Sequence, residues 1–515
     1  MGRIAGSLAT TCAAAALALA GCAGDDVAAD TGGDDRPPPP MLSPLDLRAD
    51  GWLRGDLHAH SNYSHDGDDA VDTLLRLAEF TADPRFLAFH PELVDDALDF
   101  LGLADHRTVA GVRDPGWTSS RIIAIGGEEF GGAEGLGHAV ISGIDEYVDH
   151  DPGADGTTRA DIEAAIDATH AQGGVFIAAH PTLSYMPWGW DVDALDGLEV
   201  WNSGWALGNP EIGAAELSAL VARGGEVSDY LARAVELQGR GGGMQALAMY
   251  EAYLARGVHL ALVGGSDHHA ALPLGAPVTY VRADTADAAG VIEGIRARRT
   301  FVARHAGAAQ LEFDVHVGDA VYSFGDAIPI PRDGASVVLS LRVARAVGGR
   351  AFLIGGVARE ALAGAPLGVP LVDAWVDDYD TLIARSFWAE PGDWVYPMVW
   401  ESLYAPGLDD AGRGAVDGLA LLARDSGIAT YQIVNALETR GVLNAPQLCD
   451  VDAWRADELQ CMPVDASGLA TFYVPDHLDR ALNVIVEDGA PSPWVMGALG
   501  SAVRFVADPN EAPAE

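Results

Sequence analysis

From Leu53 to His60, apolar and polar residues alternate: Leu53, Gly55, Leu57 and Ala59 against Arg54, Asp56, His58 and His60. That period predicts a strand, whose side chains point alternately to its two faces. His58 and His60 then share a face, about 7 Å apart along the strand at ~3.3 Å per residue. Short apolar runs at Phe100–Ala104, Ile122–Ile125, Val175–Ala179 and Leu260–Val263 read as further, buried strands. Helical periodicity lies between them at Asp69–Phe80 and Arg159–Gln172. Strands alternating with helices predict an α/β fold with a parallel sheet or barrel.

Two other stretches change the pattern. Trp205 to Tyr250 reads as an insertion of about that span, helical at Glu216–Arg223 and Tyr230–Leu237, with a flexible break at Gly239–Gly243. An insertion there is placed to cap a site. From Gln310 onward, Leu311–Val317 and Val337–Val343 alternate like half-buried strands. Turns at Gly325-Asp326, Asp333-Gly334 and Gly348-Gly349 separate such runs. The chain therefore divides into 1–21, 22–48, a first folded module over 49–306 and a β-rich module over 307–515, with a helical interruption near Ala415–Ala423.

Candidate chemistry falls at the ends of the early strands. Five clusters stand out: Asp56-Leu57-His58-Ala59-His60-Ser61 running on to Asp66-Gly67, Asp105-His106-Arg107-Thr108, Gly127-Glu128-Glu129 followed by His138, Ala179-His180-Pro181, and Ser266-Asp267-His268-His269. Neutral imidazole with carboxylate is the ligand chemistry of zinc, manganese and iron. Sites on α/β barrels gather residues from the C-terminal ends of several strands.

This ordered set resembles the polymerase and histidinol phosphatase (PHP) family of metal-dependent phosphoesterases, over roughly Leu53–Arg304. An exported branch resembling carbaryl hydrolase is the nearer likeness. The resemblance implies a distorted (β/α)7 barrel and two or three divalent ions (Zn, Mn or Fe); with the alternating runs after Gln310, the fold class is α/β with a β-rich C-terminal domain. It implies His58, His60, Glu129 and Asp267 on a first ion. Asp66, His106 and His269 fall on a second, and Glu129, His138 and His180 on a third. Glu128 competes with Glu129 for the bridging role; the family's glycine spacing favours Glu129. Asp105 reads as a partner orienting an imidazole. His268 reads as lining the substrate pocket, His65 as facing either substrate or solvent, and Asn202 as shaping the site. Arg107 reads as binding a phosphate or carboxylate, or as a plain surface arginine. His90, His150, His170, His259, His305, His316 and His477 match no motif.

Composition narrows the function classes. The net charge is −44, and all 31 basic residues are Arg. Without lysine there is no Schiff-base lysine and no P-loop. Such acidity repels nucleic acid, while bound divalent ions would still dominate the local field for a small anionic substrate. Met1–Gly21 carries one basic residue, Arg3, and an apolar stretch far shorter than the ~20 residues that span a bilayer. Leu19-Ala20-Gly21-Cys22 looks like a bacterial lipobox. It implies cleavage before Cys22, a lipid on that cysteine and export to a membrane surface. The acidic, Pro-rich stretch after it, with Pro37–Pro40, reads as an extended tether. In an oxidising compartment Cys449 and Cys461 pair as one disulfide.

The expected chemistry is hydrolysis of a small-molecule ester by water activated between ions, with Asp267 also placed to accept the water's proton. A phosphoester is the first reading. A carboxylic, carbamic or cyclic ester is the second, and a non-enzymatic metal- or ligand-binding lipoprotein the third.

Overall fold

The alternating run forms strand β1, Trp52–Ala59, buried along almost its whole length. The computed structural model describes residues 45–79, 98–131, 136–149, 157–202, 212–236, 242–269, 274–346, 348–357, 368–376, 380–402 and 494–510, and four two-residue strands between 448 and 491. The signal, the tether up to residue 44 and the interruption at Ala415–Ala423 lie outside these residues; the end of the expected tether is described, and Leu47 is buried in the core instead of extended in solvent.

The apolar runs become β2 (Phe100–Leu103), β3 (Ile123–Ile125), β6 (Val175–Ala179) and β8 (Ala261–Gly265). Between them come β4 (Gly127–Gly131), β5 (His138–Ser142) and β7 (Gly197–Asn202). β9 (Val278–Arg282) and β10 (Thr300–Ala303) complete this half. Helix α1 covers Val71–Glu79 and α2 covers Arg159–Ala171. The start of α2 is set by a capping box in which Thr158 and Asp161 satisfy each other's backbone N–H groups.

β1, β2 and β3 run parallel, while β1 pairs antiparallel with β9. β6, β7 and β8 are parallel as well. The expected uniform βα repeat is interrupted at β4–β5–β6, which pair antiparallel. The link from β4 to β5 is too short for the crossover that a parallel neighbour requires; the link from β5 to β6 carries α2, and β6 runs antiparallel to β5 all the same. The architecture is mixed α/β, with strands far outweighing helices. The β4–β8 sheet meets the β1–β3 edge through two isolated bridges, Ala59 to His268 and His106 to Glu129. Both bridges fall on candidate site residues, so the two sheets touch where the chemistry is.

In the insertion, α3 (Ala214–Ala222), α4 (Asp229–Val235) and α5 (Gly242–Ala255) form. Gly242 and Gly243 open α5 rather than belonging to a flexible break. Every residue of α5 is buried except Met244, since the helix packs against β7 and α4 instead of facing solvent. After α6 (Ala288–Arg296) the helices cease among the described residues.

The later strands are β11 (Gln310–Val317), β12 (Ala320–Ser323), β13 (Ala327–Ile330), β14 (Ala335–Ala344), β15 (Arg350–Val357), β16 (Val369–Trp375), β17 (Asp380–Ala389) and β18 (Asp393–Ser402). The two-residue ladders are β19 (Leu448–Cys449) with β20 (Cys461–Met462), and β21 (Val486–Glu487) with β22 (Ala490–Pro491). β23 (Trp494–Gly500) and β24 (Val503–Ala507) end the described chain. Leu311, Phe313 and Val315 of β11 and Val337, Leu339, Leu341 and Val343 of β14 point into one core, as their alternation predicts. One sheet runs β13-β24-β18-β23-β10-β9-β1-β2-β3. β23 pairs with both β10 and β18, so the site-bearing strands and the later β strands share a sheet.

Candidate metal centre

Glu129 stands at the centre of the histidines. Its Oε1 lies 2.8 Å from His138 Nδ1, 3.1 Å from His180 Nε2 and 3.4 Å from His58 Nε2. Its Oε2 lies 2.9 Å from His106 Nδ1 and 3.5 Å from His60 Nε2. These partners come from β1 and the residue that follows it, from β5, and from the turns after β2 and β6. Strand alternation turns Glu128 the other way. It is buried, and its Oε1 accepts the Val148 N–H at 2.8 Å. Burial pushes its pKa up to about 7.

Asp267 closes the centre from the end of β8. Its Oδ1 is 3.3 Å from His58 Nε2, 3.2 Å from His60 Nε2 and 3.4 Å from His269 Nδ1. Asp66, half-exposed, faces His106 Nε2 at 3.3 Å and His269 Nε2 at 3.5 Å. Potential ligand atoms gather in three groups, within 4.8 Å of one another in each. They are His58, His60, Glu129 and Asp267; His60, Asp66, His106 and His269; and His106, Glu129 and His138. The third group holds His106 where the sequence pattern puts His180. His180 stands outside that group, its Nε2 meeting the same Glu129 Oε1 as His138, with its buried Nδ1 making no hydrogen bond.

Several side chains orient these rings. Glu199 of β7 takes His58 Nδ1 at 3.0 Å on one oxygen. On the other it takes the His180 backbone N–H at 2.8 Å and Asn202 Nδ2 at 2.7 Å. Gly265 permits this approach, since a Cβ there would lie 2.4 Å from Glu199 Oε1 and 2.5 Å from the His58 Cβ. Ser64 Oγ meets His60 Nδ1 at 3.2 Å and accepts the His106 backbone N–H. Glu199 and Ser64 were not singled out in the sequence. The only signal for Glu199 is its place three residues before Asn202 on a buried strand. Asp105 does not orient an imidazole: its carboxylate accepts the backbone N–H and hydroxyl of Ser61, fixing the turn after His60.

His268 is buried and bonds Asp69 Oδ2 through Nε2 at 2.9 Å, so it ties the loop after Asp66 to the end of β8 instead of lining an open pocket. His65 is exposed, with Nε2 3.5 Å from Asp66. Arg107 is exposed and donates Nη2–H to the Gly131 carbonyl at 2.9 Å. Cys449 and Cys461 are directly opposite in the β19–β20 register.

The backbone is left-handed at Arg107 (φ 54°), His180 (φ 28°) and Asp267 (φ 53°). Non-glycine residues adopt that conformation only where surrounding structure enforces it, and such strain clusters at functional sites.

The electrostatics demand positive charge at the centre. Burial would raise the Glu129 pKa, but His138, His106 and His58 hold it well below the usual carboxylate range. Burial would lower His58, yet Asp267, Glu199 and Glu129 raise it well above an ordinary imidazole. His106, likewise disfavoured by burial, is pushed up to about 10 by Glu129 and Asp66. His60 falls to about 3 through burial and the neighbouring His269. The buried His58 Nε2, His60 Nε2 and Glu129 Oε2 make no hydrogen bond. Buried polar atoms are normally satisfied, and an ion is one of the few things that satisfies several at once. The donor set thus fits divalent metal.

Fold and site together define a mixed α/β protein with a buried His/Asp/Glu centre able to hold divalent cations. Among solved structures, the chain is similar to a two-domain protein from Bacteroides vulgatus containing a predicted PHP-like metal-dependent phosphoesterase. The similarity spans 67% of this chain and 90% of that one, at 15% identity and a TM-score of 0.29. No protein-family model matches the chain, and no curated protein matches it. Function is therefore read from the side chains of the site.

Proposed function

We propose that the protein is a metal-dependent hydrolase of ester bonds, phosphoesters foremost. The carrying observation is Glu129, whose two oxygens face five histidines while buried imidazole nitrogens around it lack hydrogen bonds. Two or three divalent ions would be held. His58, His60, Glu129 and Asp267 would take the first, Asp66, His106 and His269 the second, and Glu129, His138 and His180 the third. When bound, such ions supply Lewis acidity and a nucleophilic water near neutral pH. Asp267, facing the centre, would accept the proton of the attacking water. Glu199 and Ser64 would keep His58 and His60 aimed inward, as hydrogen-bonded carboxylates and hydroxyls do at metal sites. The two isolated bridges, Ala59–His268 and His106–Glu129, which join the β1–β3 and β4–β8 sheets at the site, support reading the strands as a distorted barrel. The lipobox-like Leu19–Cys22 supports an exported protein anchored through Cys22.

Elemental analysis of protein from metal-replete growth, followed by assay on phosphate mono- and diesters and carboxyl esters, tests this reading. Two or more ions per chain and turnover lost in Asp267→Asn are expected. One ion or fewer, or turnover insensitive to Asp267→Asn, would overturn it.

A further inference from the structure

Arg107 is a cation with little to hold it in place except the site. It follows His106, and its strained backbone is pinned on both sides: Arg107 N–H donates to Glu129 O, and Glu129 N–H donates to Asp105 O. Its guanidinium is steered by one hydrogen bond, Nη2–H to Gly131 O. A Cβ at Gly131 would lie 2.9 Å from His138 Nε2 and 3.6 Å from Arg107 Nε, so the imidazole and the guanidinium flank the same point at the rim of the centre. Among the described residues Arg107 forms no ion pair, in a chain with 75 acidic side chains to 31 basic ones. Arg159, Arg256, Arg299, Arg304 and Arg350, by contrast, each meet a carboxylate. A charge of −44 repels anionic substrates at range, so a cation at the mouth would add to the pull of the bound ions on an anionic substrate. A guanidinium provides a planar fork of donors suited to an oxyanion.

We propose that Arg107 is the specificity-determining clamp of this site. It would bind an anionic oxygen of the ester substrate, phosphoryl or carboxylate, and so favour charged esters over neutral ones. This rests on the hydrolase reading and adds the charge of the substrate to it.

The test uses metal-loaded protein, with calorimetric titration of inorganic phosphate and of acetate into wild type, Arg107→Gln and Arg107→Lys. Metal content is checked in each variant, and turnover is compared for 4-nitrophenyl phosphate and 4-nitrophenyl acetate. Arg107→Gln should keep its metal and bind the anion about tenfold to a hundredfold more weakly, the loss expected for a charge-assisted hydrogen bond. KM for the phosphate ester should rise while the neutral acetate ester changes less than about twofold. Arg107→Lys should recover part of the loss. Dependence seen with phosphate assigns the clamp to a phosphoryl group; dependence confined to acetate assigns it to a carboxylate. Unchanged affinity for both anions in Arg107→Gln, or no anion binding by wild type, overturns the proposal. Arg107-dependent binding without turnover of either ester would sink the hydrolase reading and leave the clamp standing.

Discussion

Glu199 and His58 lie far apart in sequence, yet Glu199 Oε1 sits 3.0 Å from His58 Nδ1. A carboxylate only accepts, so it holds the proton on Nδ1 and leaves Nε2 to face Glu129 and Asp267. Removing it in Glu199→Ala should weaken metal binding about tenfold to a hundredfold, the usual cost of losing an orienting partner. Competition against a chromophoric chelator measures it; unchanged affinity would show that the contact does not set the ring.

The two neighbouring glutamates should behave oppositely. Glu129→Ala is expected to lose at least one bound ion, because both oxygens face histidines. Glu128→Gln should keep the full complement, because its side chain points to the Val148 N–H. Elemental analysis of the two purified variants decides the matter.

Glu128 also sets a pH dependence. Its folded pKa of about 7 lies above the ordinary 4.5. The folded state therefore binds the proton more tightly than the unfolded state. That stabilisation is full below pH 4.5 and is lost as pH rises through 7. Between pH 5 and pH 8 wild type should lose on the order of 2 kcal/mol relative to Glu128→Gln. Denaturant unfolding of both proteins at matched pH values measures the gap, and a gap that stays constant with pH would refute the assignment.

His268→Ala should act through position and stability. Losing the buried bond to Asp69 should cost about 1–3 kcal/mol and loosen the loop that carries Asp66. Metal affinity at the Asp66, His106 and His269 group should fall more than at the group around Asp267. A change in substrate preference with unaltered stability and metal affinity would instead restore His268 to the pocket lining.

The clusters were legible because their signals are local. His58 and His60 sit at period two on one extended run, and the other clusters follow apolar runs that became β2, β3, β6 and β8. The core alternation of β11 and β14 was legible for the same reason. Glu199 and Ser64 were not, since what matters is the ring each meets across the fold, and no short-range pattern encodes that. His268 was misjudged because Asp69 reaches it from another loop. The left-handed backbone at His180 and Asp267 leaves no mark in the sequence either, since neither residue is a glycine. The β4–β5 reversal follows from a short connection, which periodicity alone does not weigh, while the antiparallel course of β6 against β5, across a link that carries α2, leaves no mark in the sequence.

The pairing of Phe301 with Gly500 has a consequence for how the chain can be divided. β10 closes the side of β9 away from β1, and its own outer edge is covered by a strand almost two hundred positions further on. A polypeptide cut near residue 306 would keep every histidine of the centre and still present a bare row of amides and carbonyls along Thr300–Ala303. Such an edge recruits other chains. The first module on its own should therefore tend to associate or precipitate. Supplied separately, the late segment carrying Trp494–Gly500 should be taken up by that edge, so that two pieces reassemble what one continuous chain folds into.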